Sequence, residues 1–318
     1  MCCLYGLMDR SHTFSARERS DMINCLARAS EARGTDATGI AYNSRHRMRI
    51  YKRPMAAHKL RLRLPEDATT IIGHTRLTTQ GNEKLNYNNH PWTGRNGQEV
   101  FALAHNGVLH NDTWLRRSLK LPKTKVETDS YIAVQLIEQK RALTFESLKY
   151  MAEKVEGSFA FTVLDQKGQI YLVKGDNPIC LYYFRSCDLY LYASTQAILM
   201  DALVSMPFYL GKPEEIRLTC GDILLLSPDE DPQKKTFDTT YFDVNYWNWH
   251  YPPYEYCHHL QQTGQPTYSY SDYEVEYLED LKMVAGAYGY SPDTIDEMFL
   301  SGCTPEEIED MLYCSGEI

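Results

Sequence analysis

The first 225 residues contain two kinds of hydrophobic pattern. Short runs rich in Val, Ile, Tyr and Phe predict β-strands, because β-branched and aromatic side chains favour extended backbone. These runs span residues 39–42, 48–52, 69–74, 100–105, 158–165, 169–174 and 188–193. Apolar residues recur with helical spacing in three other segments, Ser15–Ser30, Asp129–Gln139 and Phe145–Val155. Helices grouped among many strands, without strict alternation, predict a layered α+β domain.

A linker and a small helical unit are expected after that domain. Residues 226–270 combine prolines, polar residues and aromatics without any period, and we expect the aromatic run 246–256 to anchor this linker on the first domain. Residues 271–318 contain two helix start signals, Ser291-Pro292-Asp293 and Thr304-Pro305-Glu306, in which a capping residue precedes a proline. The predicted parts are a domain at 2–225, the linker at 226–270 and a C-terminal helical unit at 271–318.

The negative charge is concentrated in the C-terminal unit. Residues 272–318 hold 13 acidic residues and one basic residue, a net charge of −12, whereas the rest of the chain carries +3. The segment Arg45–Arg63 has eight Arg or Lys residues and no acidic residue. A nucleic-acid-binding domain is basic over much of its surface, so nucleic acid is not expected as a partner. We expect the acidic helices to dock on a basic surface, either Arg45–Arg63 or that of a partner; the alternative is a cap that only solvates.

The composition argues against a membrane, secreted or metal-binding protein. No run of about 18 apolar residues is present, and Met1–Arg10 lacks the basic start and the long apolar stretch of a signal peptide. The nine cysteines show no CxxC spacing, which indicates reduced thiols in a cytoplasmic protein. His250 and Cys257-His258-His259 fit no common zinc spacing, so we expect neither a metal nor another cofactor.

Cys2 is the first candidate for chemistry. Removal of Met1 would place a nucleophilic thiol and an α-amine on one residue. Such an amine has an ordinary pKa of about 7.7–8.0, so it can take the thiol proton and later donate a proton to a leaving group. The position alone does not separate a nucleophile from an inert cysteine.

Further motifs follow Cys2 in order along the chain. They are Arg33–Gly39, Gly73–Gly81, Asn88–Pro91, Leu103–Val108 and Glu127–Ser130. Each has a structural explanation when taken alone: Arg76 as a surface cation, Asn106-Gly107 as a hairpin turn, and Thr128 or Asp129 as a helix cap. Their order and spacing are what give them meaning together.

Taken together, these motifs resemble the class II, or N-terminal-nucleophile (Ntn), glutamine amidotransferase domain. This is the glutaminase domain of glucosamine-6-phosphate synthase and amidophosphoribosyltransferase. The resemblance covers about residues 2–225 and does not extend to the synthase domains of those enzymes. It implies an α+β fold, the four-layer αββα sandwich of Ntn hydrolases, in which helices cover two antiparallel sheets.

The resemblance also implies roles for individual residues. Cys2 is similar to the nucleophile that attacks the side-chain carbonyl of glutamine, with its own α-amine as base. The catalytic set is completed by an oxyanion hole, formed by the Asn106 side-chain amide and the Gly107 N–H. The residues that bind substrate are Arg76 for the α-carboxylate, Asp129 for the α-ammonium, and Arg33 and Thr79 near them.

Three positions depart from the family pattern. Cys3 replaces the usual glycine, and on a strand it would face away from Cys2. Leu77 and Gln80 stand where glucosamine-6-phosphate synthase has Trp and His. The aromatic residue is linked there to ammonia gating, so these departures bear on gating more than on glutamine hydrolysis.

The leading hypothesis is a glutaminase that hydrolyses L-glutamine to glutamate and ammonia. The ammonia would be supplied to a separate acceptor, a synthase acting in trans. Two alternatives stay open: a free-standing Ntn hydrolase of another amide, and a non-catalytic interaction protein on the same fold. The acceptor and the formation of a homo-oligomer are not determined by the sequence.

Overall fold

The computed structural model describes residues 2–97 and 99–240 and, further on, residues 278, 281, 282, 285, 290–300 and 308. They belong to two units, one within residues 1–247 and the other within 248–318. The aromatic run 246–256, the His and Cys group at 250–259 and the helix start at Thr304 lie outside the described residues. Predictions about these segments, and the division into three parts, stay predictions.

The larger unit contains two antiparallel sheets, whose strands we number in chain order. The strands are β1 (Cys3–Asp9), β2 (Ala37–Ser44), β3 (Arg47–Arg53), β4 (Thr70–Arg76), β5 (Trp92–Asn96), β6 (Glu99–Leu109), β7 (Gly157–Leu164), β8 (Ile170–Lys174), β9 (Cys180–Phe184), β10 (Leu189–Ala193), β11 (Glu214–Glu215), β12 (Asp222–Leu226) and β13 (Gln233–Thr236). The first sheet has the order β11-β9-β10-β1-β4-β2-β3, and the second has the order β13-β12-β8-β7-β6-β5. Each predicted strand overlaps an observed one, so those predictions are confirmed.

Helices flank the sheets in pairs. The helices of this unit are α1 (Ala16–Ala29), α2 (Asp112–Ser118), α3 (Tyr131–Gln139), α4 (Phe145–Lys154) and α5 (Gln196–Ser205). The three predicted helices are confirmed as α1, α3 and α4. Ser15 begins α1 with a reciprocal capping box to Glu18, which explains why the helix starts there. α3 begins two residues later than predicted, so Asp129 lies in the turn before the helix rather than inside it.

Three hydrophobic clusters separate four layers. One cluster joins the first sheet to α1 and α5, the second joins the other sheet to α3 and α4, and the third lies between the sheets. Strand β1 shows how side-chain alternation divides these layers. Cys3, Tyr5 and Leu7 pack with α1 and α5, whereas Leu4 and Met8 pack against the second sheet. The α+β fold with four αββα layers is therefore present, and Cys3 does face away from the space between the sheets.

The smaller unit contains one described helix, α6 (Pro292–Leu300). The side chain of Ser291 accepts a hydrogen bond from the backbone N–H of Thr294 at 3.2 Å, as expected of an N-terminal cap. Buried apolar residues Leu278, Leu281, Ala285, Ile295 and Ile308 form its small core. The helix start predicted at Ser291 is therefore confirmed.

None of the helices in the described part of the chain is long and apolar enough to cross a membrane. Nor do three or more His, Cys, Asp or Glu side chains from these ranges come together in a group that could hold a metal ion.

Candidate active site

The alternation of side chains directs three candidate residues into the same space. In β4, Ile72 lies between the sheets, and Arg76 is four residues further on the same face. In β6, Ala102 and Ala104 lie between the sheets, and Asn106 continues that face. Cys2 comes directly before β1 and two residues before Leu4, which faces the second sheet, so alternation places Cys2 on the same face as Leu4. Three strands distant in sequence thus present Cys2, Arg76 and Asn106 between the sheets.

The backbone around Cys2 is held by several contacts. The Cys2 Sγ donates to the carbonyl oxygen of Leu77 at 3.4 Å, which brings the thiol to the end of β4. The Arg33 Nε donates to the carbonyl oxygen of Cys2 at 3.1 Å. The next anchor is Ser194, whose Oγ accepts the N–H of Leu4 at 2.9 Å. These contacts fix where the thiol lies, and they give Arg33 a place beside Cys2.

Burial raises the pKa of the Cys2 thiol, and two nearby charges act on it in opposite directions. The Arg76 guanidinium lowers this pKa, and the Asp129 carboxylate raises it. The contact of the thiol with the carbonyl oxygen of Leu77 places it beside the residue next to Arg76 in the chain. A thiol in this environment needs a base to become a thiolate, which is the nucleophilic form.

Arg76 is almost fully buried, at 2% exposure, and its hydrogen-bond partners are neutral. Its Nη1 donates to Asn89 Oδ1 at 2.6 Å, and its Nη2 donates to the carbonyl oxygens of Gln80 at 2.5 Å and Gly81 at 3.3 Å. Among the described residues no carboxylate forms a salt bridge with it. A buried guanidinium with only neutral partners is suited to bind the carboxylate of a ligand.

Asp129 is the oppositely charged counterpart, with 3% exposure. Its Oδ2 accepts the N–H of Leu109 at 2.6 Å, and its Oδ1 accepts the hydroxyl of Ser130 at 3.1 Å. Within the part of the chain that the structure describes, no cation pairs with this carboxylate either. Asp129 is thereby fixed beside β6 with a charge that suits an ammonium group.

A neutral histidine completes the support of Asp129. The Ser130 hydroxyl gives its hydrogen to Asp129, so its contact with His105 Nδ1 at 2.7 Å requires that the ring donate. Burial lowers the pKa of His105 to about 4, which keeps this ring neutral near pH 7. On the opposite sheet, His74 Nε2 donates to the His105 carbonyl at 2.9 Å. The two sheets are thus joined one residue before Asn106.

Asn106 and Gly107 lie on β6 within this junction. Asn106 is fully buried, and neither side-chain atom of its amide has a hydrogen-bond partner among the described residues. Buried amides normally have partners, so this amide keeps its full hydrogen-bonding capacity for a ligand in the space that it shares with Cys2 and Arg76. Gly107 has φ +142°, and a Cβ there would lie 1.9 Å from the carbonyl oxygen of Ser158. Only glycine fits this position.

The N–H of Gly107 faces the same side as Asp129. Residues two apart in a strand direct their N–H groups to the same edge. Leu109, two residues further on, donates its N–H to Asp129 rather than to β7. Phe159, the β7 residue opposite Gly107, gives its own N–H to Asp176 Oδ1 at 2.8 Å. The Gly107 N–H therefore points away from β7 and is available to a ligand held near Asp129.

The loop after β4 holds the remaining predicted residue. Thr79 lies there with Leu77 and Gln80, and all three are exposed. The carbonyl oxygens of Leu77 and Gln80 contact Cys2 and Arg76, so the backbone of the loop belongs to the site. No described contact joins Thr79 to Cys2, and its place is on the rim of the site.

Sequence reasoning assigned no role to three residues that support the site. Asn89 binds Arg76, Ser194 binds the backbone of β1, and Asn177 donates to the carbonyl oxygen of Asn106 at 3.0 Å. Asn89 lies in the motif Asn88–Pro91, so this motif was the signal in the sequence for a residue that supports Arg76. For Asn177, 71 residues from Asn106, no local pattern indicates the contact.

The chain is similar to known proteins in both sequence and fold. A family model described as a glutamine amidotransferase domain matches residues 74–201. Glutamine–fructose-6-phosphate aminotransferase (isomerizing) from Listeria monocytogenes is 35% identical over 159 residues, which cover 48% of this chain and 26% of that protein. The protein of the same name from Lactococcus lactis is 31% identical over 191 residues, covering 57% of this chain and 30% of that protein. The match thus spans about a quarter to a third of these curated relatives.

A solved structure supports the assignment of the fold. Glutamine phosphoribosylpyrophosphate amidotransferase from B. subtilis, complexed with ADP and GMP, aligns with a TM-score of 0.58. The alignment covers 74% of this chain and 49% of that chain at 19% sequence identity. At this identity the likeness shows the fold and no more.

Proposed function

We propose that this chain, in which a glutamine amidotransferase domain matches residues 74–201, is a class II (Ntn) amidotransferase domain that hydrolyses L-glutamine. The products are glutamate and ammonia, and Cys2 is the nucleophile after Met1 has been removed. The observation that carries the proposal is the pair of buried opposite charges, Arg76 and Asp129, neither of which forms a salt bridge among the described residues, together with the Cys2 thiol held at the end of β4.

Glutamine has groups that match this site. Its α-carboxylate would pair with Arg76, whose planar fork can form two parallel hydrogen bonds. Its α-ammonium would pair with Asp129. An amide substrate without these charged groups would leave two buried charges uncompensated, which is costly. We assign Thr79 a contact with the bound substrate from the loop, and Arg33 the placing of Cys2.

The reaction needs no group from outside the chain except water. The α-amine of Cys2 takes the thiol proton, and the thiolate attacks the side-chain carbonyl carbon of glutamine. The Asn106 amide and the Gly107 N–H stabilise the negative charge on the tetrahedral oxygen. The protonated α-amine of Cys2 then gives this proton to the leaving nitrogen of glutamine. Ammonia departs, and a thioester on Cys2 remains. Water then attacks the thioester, with the α-amine again as base, and glutamate is released.

The proposal extends to the use of the ammonia and the location of the protein. The homologous domains are parts of longer enzymes, so we propose that the ammonia goes to an acceptor protein in trans. The nine cysteines show no CxxC spacing, and this supports the proposal of a cytoplasmic location.

Turnover of glutamine by the full chain tests this function. Protein whose N-terminus at Cys2 has been verified by mass spectrometry should release glutamate, and Cys2→Ala should abolish release. Cys3→Ala is the matched control, because Cys3 packs on the opposite face of the strand and should retain activity. Protein that keeps Met1 should be inactive, since its Cys2 nitrogen is an amide and not a base.

The contrary results are equally clear. Glutamate release that survives Cys2→Ala, or activity with Met1 retained, would refute the mechanism. Turnover of other amides but not of glutamine would favour the alternative of a different Ntn amide hydrolase. Correctly processed, folded protein that neither turns over any amide nor reacts at Cys2 with a glutamine-analogue electrophile would favour a non-catalytic protein.

A further inference from the structure

We propose that Asn177 is a positioning residue for the oxyanion hole. Its side chain is 8% exposed, and its Nδ2 donates to the carbonyl oxygen of Asn106 at 3.0 Å. That carbonyl belongs to the peptide group whose N–H is supplied by Gly107. The role rests on the proposed function, because it concerns how this N–H is presented to the substrate.

The geometry of the peptide bond connects the two ends of this group. A trans peptide is planar, and its C=O and N–H point in opposite directions. When Asn177 holds the carbonyl oxygen of Asn106, it also sets the direction of the Gly107 N–H. An accepted hydrogen bond further polarises the peptide and makes its N–H a stronger donor. The contact of Asn177 therefore acts on the oxyanion hole from the side away from the substrate.

The turn that carries Asn177 is itself tied to the neighbouring strand. Asp176 Oδ1 accepts the N–H of Phe159 at 2.8 Å and the N–H of Asn177 at 3.0 Å. Phe159 stands opposite Gly107 in the pairing of β6 with β7. A Cβ placed on Gly107 would come within 2.7 Å of the Asn177 Nδ2, so the two residues pack closely. The turn thus spans both strands at the level of the oxyanion hole.

The proposal predicts that loss of the Asn177 contact slows the chemical step but does not weaken the binding of glutamine. The charge on the substrate oxygen develops only in the transition state, so a weakened Gly107 donor should lower kcat and leave the KM for glutamine nearly unchanged. Asn177→Ala should reduce kcat on the order of 10-fold, the equivalent of one hydrogen bond. Asn177→Asp should lower kcat further, because an acceptor would then face the Asn106 carbonyl.

The control is Gln135→Ala in helix α3. Gln135 is also a buried side-chain amide, and its Nε2 donates to the carbonyl oxygen of Pro122 at 2.7 Å. Its loss should affect stability as Asn177→Ala does but should not affect kcat. A second readout is alkylation of Cys2 by iodoacetamide, followed at the Cys2 peptide by mass spectrometry. That reaction forms no oxyanion, so its rate should be the same in the wild type and in Asn177→Ala.

The outcomes distinguish this proposal from the one on which it rests. A loss of kcat at constant KM, with normal alkylation, would support the role of Asn177. Wild-type turnover with unchanged kcat in both Asn177 variants would overturn the role and leave the glutaminase intact. A loss of kcat accompanied by slower alkylation would also overturn it, because the effect would then lie in Cys2. Absence of turnover in the processed wild type would overturn the proposed function itself.

Discussion

Two halves of the candidate site are built in different ways. The Arg76 half consists of Arg76, the loop 77–81 and Asn89, and the Asn106 half consists of Asn106, Gly107 and Asn177. In the Arg76 half the hydrogen-bond acceptors are loop carbonyls and one side chain, beside the exposed Leu77, Thr79 and Gln80. In the Asn106 half the proposed donors are part of strand β6, and the contacts around them are buried.

This difference matches the two tasks of an amidotransferase site. A binding group can exchange neutral loop partners for the carboxylate of a ligand with little change elsewhere. A group that stabilises charge in the transition state is most effective when it is fixed before the substrate arrives. We therefore expect changes in the Arg76 half to alter KM, and changes in the Asn106 half to alter kcat.

The largest effect is expected in the Asn106 half. In the proposed mechanism Asn106→Ala removes one donor to the oxyanion, and such a loss costs about 10²- to 10³-fold in kcat. The KM for glutamine should change little. The control is Asn96→Ala, because Asn96 in β5 is also buried, at 4% exposure, and its amide has no partner among the described residues. Steady-state kinetics on both variants check this, and equal losses of kcat would contradict the assignment.

A smaller effect of the other kind is expected in the Arg76 half. Arg76→Lys keeps the charge but loses the planar fork, so KM for glutamine should rise about 10- to 100-fold. The value of kcat at saturation should fall much less. Arg19→Lys is the matched control, since Arg19 is also 2% exposed and pairs with Asp9 at the other end of β1. If Arg76→Lys lowered kcat while KM stayed constant, the division into two halves would be wrong.

The smallest effect is expected where the halves meet, and it concerns stability. His90 stacks on His74, with ring centroids 3.9 Å apart, and burial holds its pKa well below the ordinary value. Below about pH 6.5 the unfolded chain binds a proton at this histidine that the folded ring does not bind. The free energy of unfolding therefore decreases as the pH is lowered below this value. His90→Phe keeps the stacking and should reduce this slope by about 1.4 kcal/mol per pH unit between about pH 6 and 4.

Denaturant unfolding of the wild type and His90→Phe over this pH range measures the slope. His46→Phe serves as the control, because His46 lies exposed in the turn between β2 and β3 and should leave the slope unchanged. An identical slope in the wild type and His90→Phe would show that the ring is charged in the folded state, contrary to its burial.

The sequence could predict local features whose causes are local. Strands and helices follow from periods of two and 3.6 residues, so overlapping segments were found for β2, β3 and α1. The helix start at Ser291 follows from a cap and a proline that are adjacent. The family motifs named Cys2, Arg76 and Asn106 as candidates because each lies in a short, recognisable segment.

Tertiary structure decided which of these residues share a space and what supports them. Side chains alternate between the two faces of β1, β4 and β6. This alternation brings the candidate residues into one space only because the two sheets pack face to face. The family resemblance predicts that Thr79 binds substrate, yet its side chain is exposed on the rim, because the loop is turned so that its backbone faces the site. Asn177 reaches Asn106 across 71 residues through the pairing of β6, β7 and β8. Such contacts depend on the register of strands far apart in the chain, and no local pattern of side chains specifies that register.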